Sequence, residues 1–459
     1  MQARSSPAAD DCLSFLTPTG YGKSSCGYCK SNKRQLSSAS YGATSSSVRP
    51  SHYQILVDLG WRRSGTYYYK PDNAHSCCPH YTIRLDATAF DPRRDQRQAI
   101  NKWSKYILGT DYIHLAARFC PKTREEKKRR KNVFDVCKAV HEPEYQQVKR
   151  PIDTRTEKPI EPAHKLEVTL GPDNFTEEKY KLFENYQRAV HHEEPNKISK
   201  SGFKRFLCSG LERSTLVVDG KENKIGSYHQ CYRLDGKLVA MGVLDLLPHC
   251  VSSVYLIYDN DVNDWNFGKL SALREIALAL EGGYRYYYMG YYIHSCIKMR
   301  YKGTFRPQYL LDPHTNTWNP LDADMLQHLS SRTWVSMSIE RYLQTPEFQQ
   351  KLDVNPVKYQ TALEYINATN ENDNPDTHKS ARTVFEAHMP GAMTLDEVRE
   401  QIDLDHWKVK IEERIFELED LVSWGEHDVS EPRSLEGVVS ELAACIGPEL
   451  VQNTILSFG

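Results

Sequence analysis

Three cations alternate along the segment from Gly290 to Gly303, which reads GYYIHSCIKMRYKG. If this segment is an extended strand, side chains two positions apart share a face, so Lys298, Arg300 and Lys302 project from one side of it. Three like charges on one face repel each other, and such a row is typical of a pocket for a carboxylate or a phosphate. The alternative is a solvated edge strand, in which lysine is common.

Four cysteines form a second set of residues with chemical potential. Cys26 and Cys29 lie in the sequence CGYC, where two sulfurs can reach one ion from a tight turn. The vicinal pair Cys77 and Cys78 follows further along the chain. The pattern predicts a metal site, with isolated buried cysteines as the alternative. Zinc and an iron–sulfur cluster are both suited to four thiolates, and the sequence does not choose between them.

Several segments together resemble one known family. IHSCIKMRYKG resembles the signature of eukaryotic arginyl-tRNA–protein transferases, with Ile297 where many relatives have proline, which resembles the fungal branch. The resemblance covers roughly residues 20–320, in the family's order. It is carried further by CGYC, GWRRSGTYYYKP, CCPHYTIR, GFKRFLC, GKLVAMGVLDLLPHCVSSVYLIYD and SALREIAL. It implies that the four cysteines are the family's metal ligands.

The resemblance also implies an activity. The family moves arginine from Arg-tRNA(Arg) to the α-amine of proteins that begin with Asp, Glu or oxidised Cys, which marks them for ubiquitin-dependent degradation. Its implied partners are Arg-tRNA(Arg), proteins with acidic N-termini and components of the ubiquitin-ligase pathway. The donor is an activated ester, and an α-amine with a pKa near 8 is partly neutral at cell pH. Holding the two together is expected to supply most of the rate.

Three residues are candidates for proton transfer. Asp245, at the end of an apolar run, could pair with the arginyl guanidinium or assist proton removal. The alternative for Asp245 is a turn residue at the end of a strand. His229 and His294 are the other candidate bases, although a lone histidine is more often structural.

The substrate-binding hypotheses involve two sets of residues. Lys298, Arg300 and Lys302, with the neighbouring Tyr301, are placed to hold the acidic acceptor side chain or the tRNA end. Arg62 and Arg63 in GWRRSG, which precede Tyr67 to Tyr69, could bind acceptor or RNA by charge and stacking. The alternative for this second set is a surface turn that leads into an aromatic strand.

A third set lies at a predicted helix start. Gly268, Ser271 and Arg274 surround the point where the terminal adenosine or a phosphate of the tRNA could rest. The loop before this helix, DVNDWNFGKLSA, has Gly268 as its single glycine. CoA-dependent acetyltransferases use a glycine-rich loop there, so its composition counts against CoA.

The elements that must position these residues alternate in type. The apolar and β-branched runs predict strands, and the apolar spacing predicts helices. The predicted strands are Lys165–Leu170, Leu238–Leu247, Val251–Tyr258 and Tyr284–Ile293, and the predicted helices are Thr176–Val190 and Ser271–Leu280. Strand, loop, helix and strand over residues 251–293 predict an α/β (α+β) fold with an acetyltransferase-like (GNAT-type) core, and the resemblance implies the same.

Four segments are predicted along the chain. Residues 1–120 form an N-terminal cysteine-rich metal-binding domain, and residues 121–162, with the run Lys127–Lys131, form a basic linker or insertion. Residues 163–330 form the GNAT-like catalytic domain, and residues 331–459 form a mostly helical C-terminal extension. Within these segments, the Ser-rich residues 30–50 are predicted to be a mobile loop, and residues 367–378 a flexible connection.

Bulk properties narrow the class of protein. The chain has 459 residues and a formal net charge of −1, so any RNA contact must come from local patches. No apolar run reaches the roughly 18 residues that a membrane helix needs, and the N-terminus lacks a hydrophobic signal core. Twelve cysteines in such a chain argue against a disulfide framework. A cytoplasmic protein, also present in the nucleus, is the expectation.

Two other functions compete with the transferase hypothesis. A CoA-dependent protein N-acetyltransferase would share the predicted fold, but it requires the glycine-rich loop. A non-catalytic metal- and tRNA-binding adaptor would bind tRNA without turnover.

Overall fold

The computed structural model describes residues 13–29, 37–45, 47–126, 128, 133–218, 220–345 and 383–458. The chain folds as two compact units. The first unit comprises Met1–Ile83, Gly290–Gly303 and Gln308–Gly459, and the second comprises Arg84–Met289 and Thr304–Pro307. The four segments predicted from the sequence do not follow this division, and they stay a prediction about domain organisation. No helix in the described residues is long and apolar enough to cross a membrane.

Strands and helices both contribute to the fold, which confirms the mixed α/β class. The strands are β1 (Ser14–Ser25), β2 (Ser37–Thr44), β3 (Arg62–Ser64), β4 (Tyr67–Asp72), β5 (Tyr81–Asp86), β6 (Leu166–Pro172), β7 (Ser214–Val218), β8 (Lys221–Leu234), β9 (Lys237–Leu247), β10 (Cys250–Tyr258), β11 (Tyr286–Tyr292), β12 (Gln308–Leu311), β13 (Trp318–Pro320), β14 (Lys408–Ile411), β15 (Arg414–Glu417) and β16 (Thr454–Ser457).

The α-helices in the described residues are α1 (Pro50–Asp58), α2 (Arg94–Leu108), α3 (Thr110–Phe119), α4 (Val136–His141), α5 (Glu177–Tyr186), α6 (Lys200–Leu207), α7 (Phe267–Glu281), α8 (Ile297–Arg300), α9 (Ala323–Ser331), α10 (Met337–Leu343), α11 (Leu395–Gln401) and α12 (Leu435–Gln452). Single 3₁₀ turns include Asn260–Trp265 and Tyr301–Thr304, and a π turn follows α5 at Gln187–His191.

The first unit contains a sheet in the order β15-β14-β16-β1-β2-β4-β3. The C-terminal strand β16 runs parallel to the N-terminal strand β1, with Ser14 opposite Thr454. The indole of Trp61, fully buried, donates a hydrogen bond of 3.0 Å to the carbonyl oxygen of Cys445 in α12. Both ends of the chain therefore build one core, and residues 331–459 contribute strands as well as the predicted helices. These strands are four residues each, too short for their periodicity to be read from the sequence.

The second unit contains the strands that the apolar runs predicted. β8 pairs antiparallel with β6 and β9, and β10 pairs antiparallel with β9. β10 and β11 are parallel, with Val251 opposite Tyr287, and the crossover between them contains α7. Parallel neighbours require such a crossover, so strand, helix and strand here are confirmed. Helix α7 buries Leu273, Ile276 and Ala277 completely.

One expectation about a loop was wrong. Residues 37–44 of the Ser-rich segment form strand β2, in which Ala39, Tyr41 and Ala43 are fully buried. Small side chains let this strand pack closely, although serine content is typical of loops. Residues 30–36 and 46 of that segment lie outside the described residues.

The predicted basic linker is partly a packed segment of the second unit. Val148 and Ile160 are buried with Leu108 and Tyr112 in one apolar cluster. Val140 of α4 is also buried. In the basic run, only Lys128 is among the described residues, where it is exposed. The predicted flexible connection, 367–378, lies outside the described residues as well.

The segment with three cations is not a strand beyond Tyr292. It turns at residues 294 and 295, continues as helix α8 and ends in the 3₁₀ turn Tyr301–Thr304. Residues two apart in a helix point in different directions, so the predicted row of Lys298, Arg300 and Lys302 on one face was wrong. The alternative of an edge strand was wrong for the same reason.

Candidate active site and metal centre

The first unit brings the four predicted metal-binding cysteines together. The Sγ atoms of Cys26, Cys29, Cys77 and Cys78 all lie within 4.8 Å of one another. The Sγ atoms of Cys29 and Cys77 are 3.4 Å apart. Thiolates around one tetrahedral ion are about 3.8 Å apart, given metal–sulfur bonds of about 2.3 Å. The donor set and its spacing therefore fit a metal, and the alternative of four isolated cysteines was wrong.

The loop that follows β11 contacts this cysteine cluster. The hydroxyl of Ser295 donates a hydrogen bond of 3.4 Å to Sγ of Cys78, which is buried. Hydrogen bonds to ligand sulfurs stabilise their negative charge and orient them. Ser295 therefore joins the metal site to the loop that carries His294 and Arg300, a link that the sequence did not reveal.

Ser295→Ala is expected to weaken metal retention about tenfold to a hundredfold, because one hydrogen bond to a ligand sulfur is lost. The rate at which a chelator removes the metal measures this effect. Ser295→Thr keeps the hydroxyl and should restore retention. Ser330→Ala is the matched control, because Ser330 contacts His294 but no cluster cysteine. Equal metal release from wild type and Ser295→Ala would contradict this role.

Two of the three cations after this loop, Arg300 and Lys302, bind backbone carbonyl groups. Nε of Arg300 donates to the carbonyl oxygen of His294 at 2.8 Å, and Nζ of Lys302 donates to that of Tyr291 at 2.8 Å. Lys298 is exposed, and Tyr301 begins the 3₁₀ turn and is half-buried. Arg300 therefore stabilises the turn and is itself exposed at the surface, where it can meet an anion.

His294 is held between two hydroxyl groups. Its Nδ1 lies 3.0 Å from the Tyr292 hydroxyl, and its Nε2 lies 3.1 Å from the Ser330 hydroxyl. Burial and, to a smaller extent, the charge of Arg300 lower the pKa of His294 below its ordinary value. The imidazole is therefore neutral at pH 7 and can accept a proton.

The two arginines of GWRRSG are buried in the first unit. Arg62 donates to the carbonyl oxygen of Trp61 at 2.7 Å, and its guanidinium lies 5.2 Å from the ring centre of Tyr291. Arg63 donates to the carbonyl oxygen of Gly65 at 3.2 Å. Their exposed fractions are 6% and 5%, so the predicted alternative of a surface turn was wrong.

Aromatic rings connect this region to the cysteine cluster. The ring of Tyr28, between the two cysteines of CGYC, packs edge-on against His80 at 5.1 Å. His80 in turn packs against Tyr291 at 5.3 Å, and Tyr291 lies 6.2 Å from Tyr69. His80 was not predicted from the sequence, although its position two residues after Cys78 was a signal.

The second unit holds Asp245 and His229 inside its sheet. Asp245 lies within β9, is fully buried and accepts a hydrogen bond of 2.5 Å from the hydroxyl of Ser227 on β8. The same Ser227 oxygen accepts from the backbone N–H of Leu211 at 2.7 Å. His229 is also fully buried, and its Nε2 donates to the carbonyl oxygen of Leu207 at 2.8 Å. The alternative of Asp245 as a turn residue was wrong, and its predicted catalytic role stays untested.

We expect Asp245→Asn to lower the free energy of unfolding by about 1–3 kcal/mol, because it weakens a buried hydrogen bond to the hydroxyl of Ser227. Urea denaturation measures the change. Asp261→Asn, at an exposed carboxylate of the same unit, is the control and should stay within about 0.5 kcal/mol of wild type. Unchanged stability together with lost turnover would instead assign Asp245 to the chemistry.

The predicted tRNA-binding residues lie within α7. The helix begins at Phe267, so Gly268 is in its first turn and Ser271 lies deeper inside it. The hydroxyl of Ser271, buried, donates to Oε1 of Glu275. Nε of Arg274 lies 3.2 Å from Oε1 of Glu144. These contacts stabilise the second unit, and the predicted contact of these residues with tRNA is untested.

Models of one protein family match two parts of the chain. The model described as "Arginine-tRNA-protein transferase, N terminus" matches residues 24–98, which include all four clustered cysteines. The model described as "Arginine-tRNA-protein transferase, C terminus" matches residues 178–312, which include β8 to β11 and the loop with Ser295.

Curated proteins with related names are similar to this chain. Arginyl-tRNA–protein transferase 2 of Arabidopsis thaliana is 28% identical, over 67% of this chain and 75% of that protein. Arginyl-tRNA–protein transferase 1 of Saccharomyces cerevisiae is 32% identical, over 56% of this chain and 48% of that protein. An aspartate/glutamate leucyltransferase of Pseudomonas fluorescens is 27% identical, over 56% of this chain and 79% of that protein.

Solved structures are only distantly similar. The C-terminal domain of a putative lysylphosphatidylglycerol synthetase from Agrobacterium fabrum is 11% identical, with a TM-score of 0.22 over 52% of this chain and 50% of that one. A TM-score this low supports no argument about fold or function. The family models and the curated relatives agree with each other, and the chain carries segments similar to both the N-terminal and the C-terminal parts of the arginine-tRNA-protein transferase family.

Proposed function

We propose that this chain transfers arginine from Arg-tRNA(Arg) to the α-amine of proteins whose first residue is Asp, Glu or oxidised Cys. The observation that carries the proposal is the joining of two family features in one unit. The four-cysteine cluster and the loop of residues 293–296 that follows β11, the IHSC loop, are linked by the hydrogen bond from Ser295 to Cys78. The added arginine would mark the acceptor for ubiquitin-dependent degradation, with ubiquitin-ligase components as downstream partners.

The reaction needs positioning and one proton acceptor. The neutral α-amine attacks the ester carbonyl carbon of the arginyl group, a peptide bond forms, and the ester C–O bond breaks. The tRNA hydroxyl leaves, and the amine loses a proton. His294 is our candidate to accept that proton, because its lowered pKa leaves the imidazole neutral at pH 7. Asp245 and His229 are buried in the sheet and are weaker candidates.

An acidic acceptor is supported by the relatives and by the charge of the loop. The bacterial relatives are named aspartate/glutamate leucyltransferases. Arg300 is exposed, and Lys298 beside it is exposed as well. These cations, with Lys302 and Tyr301, are proposed to meet the anionic acceptor or the tRNA end. Arg62 and Arg63 are both buried, and they are proposed to stabilise the segment that carries these cations rather than to contact substrate directly.

A metal at Cys26, Cys29, Cys77 and Cys78 is part of the proposal. When bound, the ion would neutralise the thiolates and hold the two cysteine segments together. Sulfur atoms within 4.8 Å of one another suit one tetrahedral ion, such as zinc, better than an iron–sulfur cluster, whose irons hold the thiolates further apart. Metal analysis of protein purified without oxygen decides this: one zinc per chain supports a single ion, and several irons with sulfide support a cluster.

The second unit is proposed to be a GNAT-like core that uses an aminoacyl-tRNA donor instead of CoA. The parallel pair β10 and β11, joined through α7, supports this arrangement. Gly268 lies in the first turn of α7, where the terminal adenosine could bind, while Ser271 and Arg274 already have protein partners.

We place the protein in the cytoplasm and also in the nucleus, where its acceptors and charged tRNA would be available.

The choice of donor tests this function against its alternatives. The protein is incubated with an Asp-terminated peptide and with labelled arginyl-tRNA or labelled acetyl-CoA. Label transferred from arginyl-tRNA alone is the expected result. Label transferred from acetyl-CoA would support an N-acetyltransferase. Binding of tRNA by folded, metal-loaded protein without transfer would support an adaptor.

A further inference from the structure

A small pocket opens in the first unit beside the GWRRSG segment. Its volume is about 20 Å³, enough for one or two groups the size of water. Strands β4 and β5 contribute Lys70 and Thr82 to its walls, and His80 lies just before β5. Gly60 and Asn316 complete its polar side. All of these residues are among those that the structure describes.

Lys70 places a buried ammonium group at this pocket. The residue is 3% exposed, and its Nζ donates to the carbonyl oxygen of Leu59 at 2.5 Å. Among the described residues, no ion pair with Lys70 is present. The next carboxylate on the same face of β4, Asp72, already accepts from Tyr21 and lies 2.8 Å from Nδ1 of His75. Burial lowers the pKa of Lys70 to about 8, so its charge at pH 7 is costly to the folded protein.

Two further polar atoms of the pocket are buried without a hydrogen-bond partner among the described residues. They are Oγ1 of Thr82 and Nδ1 of His80. The backbone N–H of His80 donates to Oδ1 of Asn73 at 2.8 Å, which holds His80 in place. Buried polar atoms are almost always paired, so two unpaired atoms beside an ammonium group indicate a place for a ligand.

We propose that this pocket holds the side-chain carboxylate of the acceptor's N-terminal Asp or Glu, with Lys70 as the ionic donor and the hydroxyl of Thr82 as a further donor. The inference rests on the proposed function and assigns a specificity site to it. A carboxylate has two oxygens that accept several hydrogen bonds. It also supplies a negative charge that can form an ion pair with the ammonium group of Lys70.

The pocket lies beside the start of the IHSC loop. The carbonyl oxygen of Gly60, a wall residue, accepts a hydrogen bond of 3.1 Å from the hydroxyl of Tyr291. His80 follows Cys78 by two positions, so metal binding at the cysteines would also fix His80. An acidic side chain in this pocket would therefore be held within the same unit as His294 and Arg300.

Steady-state transfer of arginine to two peptides tests the inference. The peptides differ in an N-terminal Asp or its uncharged isostere Asn. Lys70→Met and Thr82→Val are each expected to raise KM for the Asp peptide about tenfold to a hundredfold, as expected for the loss of a hydrogen bond to a charged group. KM for arginyl-tRNA should stay unchanged, and the preference for Asp over Asn should fall. Thr88→Val, at an exposed threonine outside the pocket, is the matched control.

Two further measurements, direct binding of the Asp peptide and the stability of the variants, distinguish failure of this inference from failure of the proposed function. The Asp peptide alone, without tRNA, should bind wild type more tightly than either variant. Lys70→Met should be no less stable than wild type at pH 7, because it removes a buried charge. Wild type that transfers arginine while both variants keep its KM would overturn the inference alone and would assign the pocket to a buried water. No transfer by wild type to the Asp peptide would overturn the proposed function, whatever the variants do.

Discussion

Cys78→Ser is expected to abolish metal binding and to lower arginine transfer at least about a hundredfold, a loss of about 2.7 kcal/mol in transition-state stabilisation. Cys78 is one of the four clustered cysteines, and its sulfur accepts the hydrogen bond from Ser295. Loss of the metal would release both cysteine segments and the loop that carries His294. Metal content by mass spectrometry and kcat/KM with an Asp-terminated peptide measure the two effects.

Cys120→Ser is the matched control for this variant. Cys120 is exposed and is not a member of the cluster, so metal content and transfer should both match wild type. Retained transfer in Cys78→Ser protein that contains no metal would contradict the proposed connection between the cluster and the loop. Circular dichroism separates loss of the metal from loss of the fold.

Arg300→Glu is expected to lower transfer about a hundredfold while lowering the free energy of unfolding by only about 1 kcal/mol, the cost of one hydrogen bond. Arg300 is exposed, so its replacement creates no cavity. The reversed charge would repel the acidic acceptor or the tRNA backbone, and the carbonyl oxygen of His294 would lose its donor. Values of kcat and KM for both substrates show which of the two is repelled.

Two variants control for the change of charge. Arg300→Lys keeps the cation and should retain most of the activity. Arg285→Glu reverses another exposed arginine, 65% exposed, and should leave transfer close to wild type. Activity of Arg300→Glu within twofold of wild type would remove Arg300 from the proposed substrate surface.

The second unit was largely predictable from local sequence. Long apolar runs such as Leu238–Leu247 are buried on both faces, and a run of this kind can only be satisfied inside a sheet. The predicted helix Ser271–Leu280 lies within α7, whose C-cap is Gly282.

The IHSC segment and the chain ends were not predictable in the same way. Alternating charges from Lys298 to Lys302 have the period of a strand, but the turn at Ser295 redirects the chain and a helix follows. Strand β16 exists because β1 pairs with it from the other end of the chain. Such long-range pairing overrides local propensity, and short segments carry no signal of it.

The residues of the candidate site were also only partly predictable from the sequence. The cysteine cluster was predictable, because thiol chemistry allows few other reasons for CGYC with a vicinal pair. Lys70, Thr82 and His80 were not, because a lysine within YYYKP looks like an ordinary strand residue until its burial is known. Polar residues acquire functional meaning from their surroundings, and these depend on tertiary packing.

The most direct measurement of the central claim is transfer of labelled arginine from charged tRNA to two peptides that differ only in an N-terminal Asp or Ala. Folded, metal-loaded protein is used, and a sample without protein is the control. Label on the Asp peptide alone is the expected result, since it establishes donor, acceptor and reaction together. No label on either peptide, from protein that still binds tRNA, would contradict the account and support a non-catalytic adaptor.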